Sequence, residues 1–169
     1  MKVRWLLLGL LLGACSRTDE PAVAKERTSD ARGSSASPAA AAVKPQLVRV
    51  PAELSDGRDY VRKMLEQHKD GKVLIYVGAT WCEPCTRFHN ALTSGALDQE
   101  LSNAVFLEFD LDQHQALLSD SDMACKSKLI PLFARPNADG TCSAERAEGG
   151  VKGERAVSVI LPQLKPLLR

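Results

Sequence analysis

Trp81-Cys82-Glu83-Pro84-Cys85 constrains this chain more than any other segment, because it joins an apolar run that reads as a strand to a segment that reads as a helix. The run Lys72 to Gly78 (KVLIYVG) is continuous and β-rich, the pattern of a strand covered on both faces. A helix that begins at the cysteines places them where unpaired N–H groups and roughly half a positive charge favour a thiolate. Two intervening residues put the second sulfur one turn on, within reach for a small reversible disulfide. Pro84 suits an early helical position, since the N–H it lacks has no partner there. Cys82, at the exposed end, is expected to attack, and Cys85, one turn inside, to resolve the mixed disulfide.

Around this motif the pattern alternates. Leu47, Val48 and Val50 suggest a short strand, and Ser55 or Asp56 can cap a helix from about Gly57 to His68. Gly95 is expected to interrupt the helix that follows the cysteines, before Leu101. Val105 to Leu111 reads as a strand, Leu117 to Lys128 as partly helical, and Leu132 to Ala134 as a short strand. Asn137-Ala138-Asp139-Gly140 signals a turn into another strand from about Thr141. Val157 to Leu168 reads as a closing helix that Pro162 and Pro166 break or kink. Strands alternating with helices make an α/β domain over residues 47–169.

The N-terminal part has a different character. Lys2 and Arg4 precede the apolar stretch Trp5 to Leu12, closed by Gly13 and Ala14, in the order of a secretory signal. That stretch is too short to cross a bilayer, which takes about 20 residues. Leu12-Gly13-Ala14-Cys15 resembles the bacterial lipobox. The resemblance implies that residues 1–14 are removed, that Cys15 is acylated, and that a lipid anchors the chain; the alternative is soluble export after cleavage nearby. Ser16, rather than Asp, follows the cysteine, which by analogy with enteric bacteria favours the outer membrane. Residues 15–46 would then be a linker, for after Val23 no large apolar residue occurs before Val43. Such a segment cannot offset its ordering entropy by burial, and Pro21, Pro38, Pro45 and Gly33 oppose a helix, so a disordered tether is expected.

Five cysteines in 169 residues are many for a cytosolic protein but suit an oxidising compartment. A net charge of +1 and few aromatics leave no basic, aromatic-lined surface for nucleic acid. Export therefore places the domain on the periplasmic side of the bacterial envelope.

The stretch Ala79-Thr80-Trp81-Cys82-Glu83-Pro84-Cys85 is similar to the active site of thioredoxin-fold proteins, and Ile130-Pro131 lies just before a strand where that family has a cis-proline. The resemblance covers most of Leu47 to Arg169. It implies a central mixed sheet flanked by helices, a redox-active disulfide with no other cofactor, a substrate groove formed by Trp81, Ile130 and Pro131, and a monomer. Its partners would be protein thiols and disulfides, together with an upstream electron donor. Cys-Glu-Pro-Cys, the signal and the anchor resemble periplasmic reductases of the TlpA type, some of which serve cytochrome c maturation. The compact spacing after the motif is closer to plain thioredoxin-like modules.

Three positions depart from or modulate that pattern. The family's buried acid, six residues before the first cysteine, corresponds to Tyr76, and a phenol with an ordinary pKa near 10 is a poor proton acceptor at neutral pH. Glu108 falls where the family often has a lysine; it is either a base for Cys85 or, the favoured reading, a solvated strand-end carboxylate. Glu83 disfavours a thiolate at Cys82, which points to a reducing or isomerising role rather than an oxidising one.

Cys125 and Cys142 remain, and two leftover cysteines in an oxidising compartment usually pair. A structural disulfide between them is expected, with separation beyond about 7 Å as the alternative. His89 follows Cys85 by four and Cys82 by seven, near one helix face. A copper- or zinc-binding module built on Cys82, Cys85 and His89 is therefore the main rival, although no fourth ligand is evident. A non-catalytic protein-binding module is the third reading, and the intact pair of thiols argues against it.

Overall fold

The computed structural model describes residues 43–169; the expected signal segment, Cys15 and the linker as far as residue 42 lie outside the described residues. Eight elements follow in the order β1 (Gln46–Arg49), α1 (Gly57–Gln67), β2 (Lys72–Gly78), α2 (Glu83–Thr93), β3 (Ala104–Asp110), β4 (Leu132–Pro136), β5 (Cys142–Glu148) and α3 (Ala156–Leu164). The strands form one sheet in the order β1-β3-β2-β4-β5. β1, β3 and β2 run parallel, whereas β4 is antiparallel to β2 and β5 antiparallel to β4. This is the mixed sheet with flanking helices that the sequence led us to expect.

Side-chain alternation along the central strands builds two cores. Val73, Ile75 and Val77 of β2 join Val105, Leu107 and Phe109 of β3 beneath Val61 and Met64 of α1. Leu74 and Tyr76 join Phe106 and Phe133 on the opposite face, covered by Phe88 and Leu92 of α2 and Ile160 and Leu164 of α3. Because period-2 alternation governs the faces, Glu108 lies on the α2 side with Phe106. In register it sits between Arg49 of β1 and Tyr76 of β2, so these three occupy one row across the sheet.

The helix boundaries have local causes. Asp56, not Ser55, caps α1, its side chain accepting from the N–H of Asp59 at 2.8 Å. Gly95, at φ 80°, follows the end of α2. At Gly140, φ is 87° and the backbone of Arg58 occupies the space a Cβ would need, so only glycine fits that turn.

Two expectations require correction. Leu117 to Lys128 contains no helix; it is a run of turns as far as Met123 and irregular chain beyond. Ser119, Asp120, Ser121 and Asp122 fall together there, and such side chains compete with helical backbone bonding; Ala124, at φ 54°, then reverses the chain. Conversely, Pro162 does not break α3, which continues through it. The carbonyl that loses its donor belongs to Ser158, which is solvent-exposed and free to bond water. The helix does end before Pro166.

A disulfide joins Cys125 to Cys142, the first residue of β5, with Cα atoms 5.1 Å apart. Both residues are buried in the α1-side core, and the N–H of Cys142 donates to the carbonyl of Met123 at 2.7 Å. The bond closes a 17-residue separation, for which restriction of the unfolded chain contributes about 3 kcal/mol. Replacing both cysteines by Ala should lower the unfolding free energy by about that amount in urea titration with the Cys82–Cys85 pair kept oxidised.

Candidate active site

Cys82 and Cys85 are joined in a disulfide with Cα atoms 5.2 Å apart. The geometry follows from the helix start. Cys82 is the N-cap of α2 in extended conformation, Glu83 and Pro84 occupy the first turn, and the N–H of Cys85 donates to Cys82 Sγ at 3.3 Å. An N–H without a helical partner thus points at the outer sulfur, where it would also stabilise a thiolate. The Thr86 hydroxyl donates to the Cys82 carbonyl at 3.2 Å and fixes the same turn. Cys82 is 5% exposed and Cys85 2%, so both are more covered than an open helix end would suggest.

The surroundings are apolar and partly open. Ala79, Leu111 and Ile130 pack against the two cysteines. The Ile130–Pro131 peptide bond is cis, as expected for that position. Ile130 is half-buried and Pro131 buried, while Leu129 is 60% exposed and Trp81 63% exposed. The indole N–H of Trp81 donates to Asp112 at 2.9 Å, which holds the ring on the surface instead of letting it fold inward. Pro84 and Pro131 both approach Gly150, where an added Cβ would come within 3.1 Å of Pro84. Leu129, Asp112 and Gly150 were not legible as site residues, because each is brought in by the turns flanking β3, β4 and β5.

Glu83 does not face Cys82 alone. It forms an ion pair with Arg87, one turn along α2, and accepts the N–H of Gly153 at 3.0 and 3.1 Å. Arg87 first, and the Gly153 N–H second, hold its carboxyl below the usual range, so it stays ionised. Much of its charge is therefore answered locally, and its opposition to a Cys82 thiolate is weaker than the sequence implied.

Beneath Cys85 lies a cavity of about 460 Å³ whose lining includes Tyr76, His89, Glu108 and Arg49. Tyr76 is 1% exposed and donates from its hydroxyl to the Cys85 carbonyl at 3.2 Å. Burial, and to a lesser degree the charge of Glu108, raise its pKa far above the ordinary phenol value. Glu108 is not the solvated strand-end carboxylate we favoured from sequence. Its two oxygens bind His89 Nδ1 at 2.8 Å and Arg49 Nε at 3.2 Å. His89 is thus turned toward Glu108, and among the described residues no group of three or more His, Cys, Asp or Glu side chains is placed to hold a metal ion.

Two relatives of similar sequence point the same way as this geometry. The chain is 35% identical to thioredoxin of Callithrix jacchus over 78 residues, 46% of this chain and 69% of that protein. It is 32% identical to thioredoxin of Mus musculus over 81 residues, 48% and 71% of the respective chains. A solved mutant thioredoxin from Halobacterium salinarum superposes with a TM-score of 0.42 at 20% identity, covering 75% of this chain and 92% of its own. No family model matches the sequence.

The environment of Tyr76 generates a test. Tyr76→Phe removes one buried hydrogen bond and should cost about 1 kcal/mol of stability near neutral pH. Because the folded state raises the Tyr76 pKa, the unfolded chain loses this proton first, from about pH 10 upward. Wild-type stability should therefore fall with rising pH above that point more steeply than that of Tyr76→Phe, as read from denaturation midpoints between pH 9 and 11.

Proposed function

Since the chain belongs to the thioredoxin family and is a thiol–disulfide oxidoreductase, we propose that it reduces or isomerises protein disulfides in the bacterial cell envelope, attached there by a lipid at Cys15. In this reading the thiolate of Cys82 attacks a substrate disulfide, one substrate sulfur leaves, and Cys85 then displaces the other from the mixed disulfide. The observation that carries it is the Cys82–Cys85 pair at the mouth of α2, bordered by the cis Ile130–Pro131 bond and exposed Trp81 and Leu129. An extended substrate segment can lie along those apolar side chains with its sulfur above Cys82. The periplasmic setting is supported by the signal-like residues 1–14, the lipobox-like Leu12-Gly13-Ala14-Cys15, and a second disulfide, which suits an oxidising compartment.

The reducing direction is supported by Glu83, a fixed negative charge one residue from Cys82 that Arg87 offsets only in part. A strong oxidant stabilises its reduced thiolate form, and an adjacent anion does the reverse.

Reduced protein should catalyse insulin reduction, and Cys82→Ser should abolish it. Cys85→Ala should accumulate mixed disulfides with envelope proteins through Cys82; an empty trap in cells would count against protein substrates. The potential of the Cys82–Cys85 couple should be clearly more negative than about −120 mV, the range of a strong oxidant. Glu83→Gln should move it to a less negative value, and a shift in the opposite sense would remove Glu83 from the account.

A further inference from the structure

Resolution of the mixed disulfide needs Cys85 as a thiolate, so its proton must go somewhere. Cys85 is almost wholly buried, and the side chains packed around the two sulfurs, Ala79, Leu111 and Ile130, cannot take it. Tyr76 is committed as a donor to the Cys85 carbonyl. The remaining route is the cavity that Cys85 lines.

His89 stands in that cavity one helical turn after Cys85, and residues four apart project from the same side of a helix. Its Nδ1 lies 2.8 Å from Glu108 Oε1, and a carboxylate can only accept, so the ring hydrogen sits on Nδ1. Nε2 is left with its lone pair, and it makes no hydrogen bond to the described residues. Glu108 is itself fixed through its other oxygen by Arg49. A carboxylate that fixes one ring nitrogen of an imidazole and leaves the other free, in a cavity shared with a sulfur nucleophile, supplies the parts by which a weak acid is deprotonated at neutral pH.

Building on the exchange reading above, we propose that His89 Nε2 accepts the Cys85 thiol proton, through one water in the cavity, as the mixed disulfide is resolved, with Glu108 as the positioning residue. The electron pair left on Cys85 Sγ forms the new bond to Cys82 Sγ. The bond from Cys82 to the substrate breaks, and the substrate leaves as a thiolate that takes a proton from solvent. The substrate gains two electrons and the dithiol loses two. The cavity is large enough for such a water, and His89, Glu108, Asp110 and Gln113 in its lining offer polar partners. The charged or titratable groups facing His89 are Arg49 from β1, Tyr76 from β2, and Glu108 and Asp110 from β3.

Reduced full-length protein mixed with one equivalent of 5,5′-dithiobis(2-nitrobenzoate) releases thionitrobenzoate twice, first as Cys82 attacks and then as Cys85 resolves. Followed by stopped flow from pH 5 to 9, His89→Gln should keep the first phase within about twofold of wild type. It should slow the second by about 100-fold at pH 7, the lower range for proton-transfer assistance, and move its rise to higher pH. Glu108→Gln should slow the second phase by about tenfold, in line with loss of an orienting partner. Imidazole added to His89→Ala should restore the second phase, which a structural role for the side chain would not produce. The proposal is overturned if His89→Gln resolves at the wild-type rate at every pH, or if both phases slow alike and imidazole does not help. Failure of the exchange reading is separate, because the wild-type protein would then lack a rapid first release.

Discussion

The seating of α2 on the sheet determines everything this protein can do at its sulfurs. Phe88 is fully buried and meets Tyr76, Phe106 and Phe133 edge-on at 4.8–5.5 Å between ring centroids. Such aromatic contacts contribute about 0.5–1.5 kcal/mol each beyond the area they bury. They fix the helix axis relative to β2, and so fix where the first turn of α2 projects. With that turn held, the N–H of Cys85 points at Cys82 Sγ and the Cys82 carbonyl accepts from the Thr86 hydroxyl, which keeps the two sulfurs within bonding reach. Tyr76 serves both levels, stacking on Phe133 at 5.0 Å while its hydroxyl meets the helix backbone.

The same row of the sheet carries the polar side of the site. Arg49, Glu108 and Tyr76 are adjacent in register, yet their surroundings grade from exposed at β1 to fully buried at β2. An ionised carboxylate is tolerable in the middle of this gradient because a cation holds one oxygen and an imidazole the other; unpaired, it would face a large desolvation cost. A phenol at the buried end needs only one acceptor. The substitution of tyrosine for the family's acid and the presence of Glu108 next to it are therefore one arrangement rather than two independent departures.

The sequence made the strands and the redox pair readable because their signals are local: a seven-residue apolar run, a cysteine at a helix start and a proline before the next strand. Contacts made by turns left no such trace. Asp112, Gly150 and Gly153 reach the site from loops, and nothing in their neighbours announces it. Likewise His114, 2% exposed and bonded to Asp110 and to the Pro51 carbonyl, ties the loop after β3 to the one after β1, a pairing across 63 residues. Glu108 was misread for a related reason. Its period-2 position gives its face, but its partners come from β1 and α2, and only their packing decides whether water or a cation meets it. The segment from Leu117 to Lys128 departs from expectation because apolar spacing there suits a helix, whereas Ser119 and Ser121 bond each other and Asp120 pairs with Lys126 across a run of turns.

A catalyst of disulfide exchange that also carries a structural disulfide risks becoming its own substrate. Here the two pairs sit in different places: Cys125 and Cys142 belong to the core packed under α1, while Cys82 and Cys85 form a small cluster with Ala79 at the mouth of α2. Burial does not separate the two pairs, since Cys125 and Cys142 are 2% and 5% exposed and Cys85 and Cys82 are 2% and 5% exposed as well; what differs is that Cys82 caps a helix, where the N–H of Cys85 can stabilise a thiolate. What distinguishes the exchanging pair is thus its place at a helix start rather than its depth in the fold.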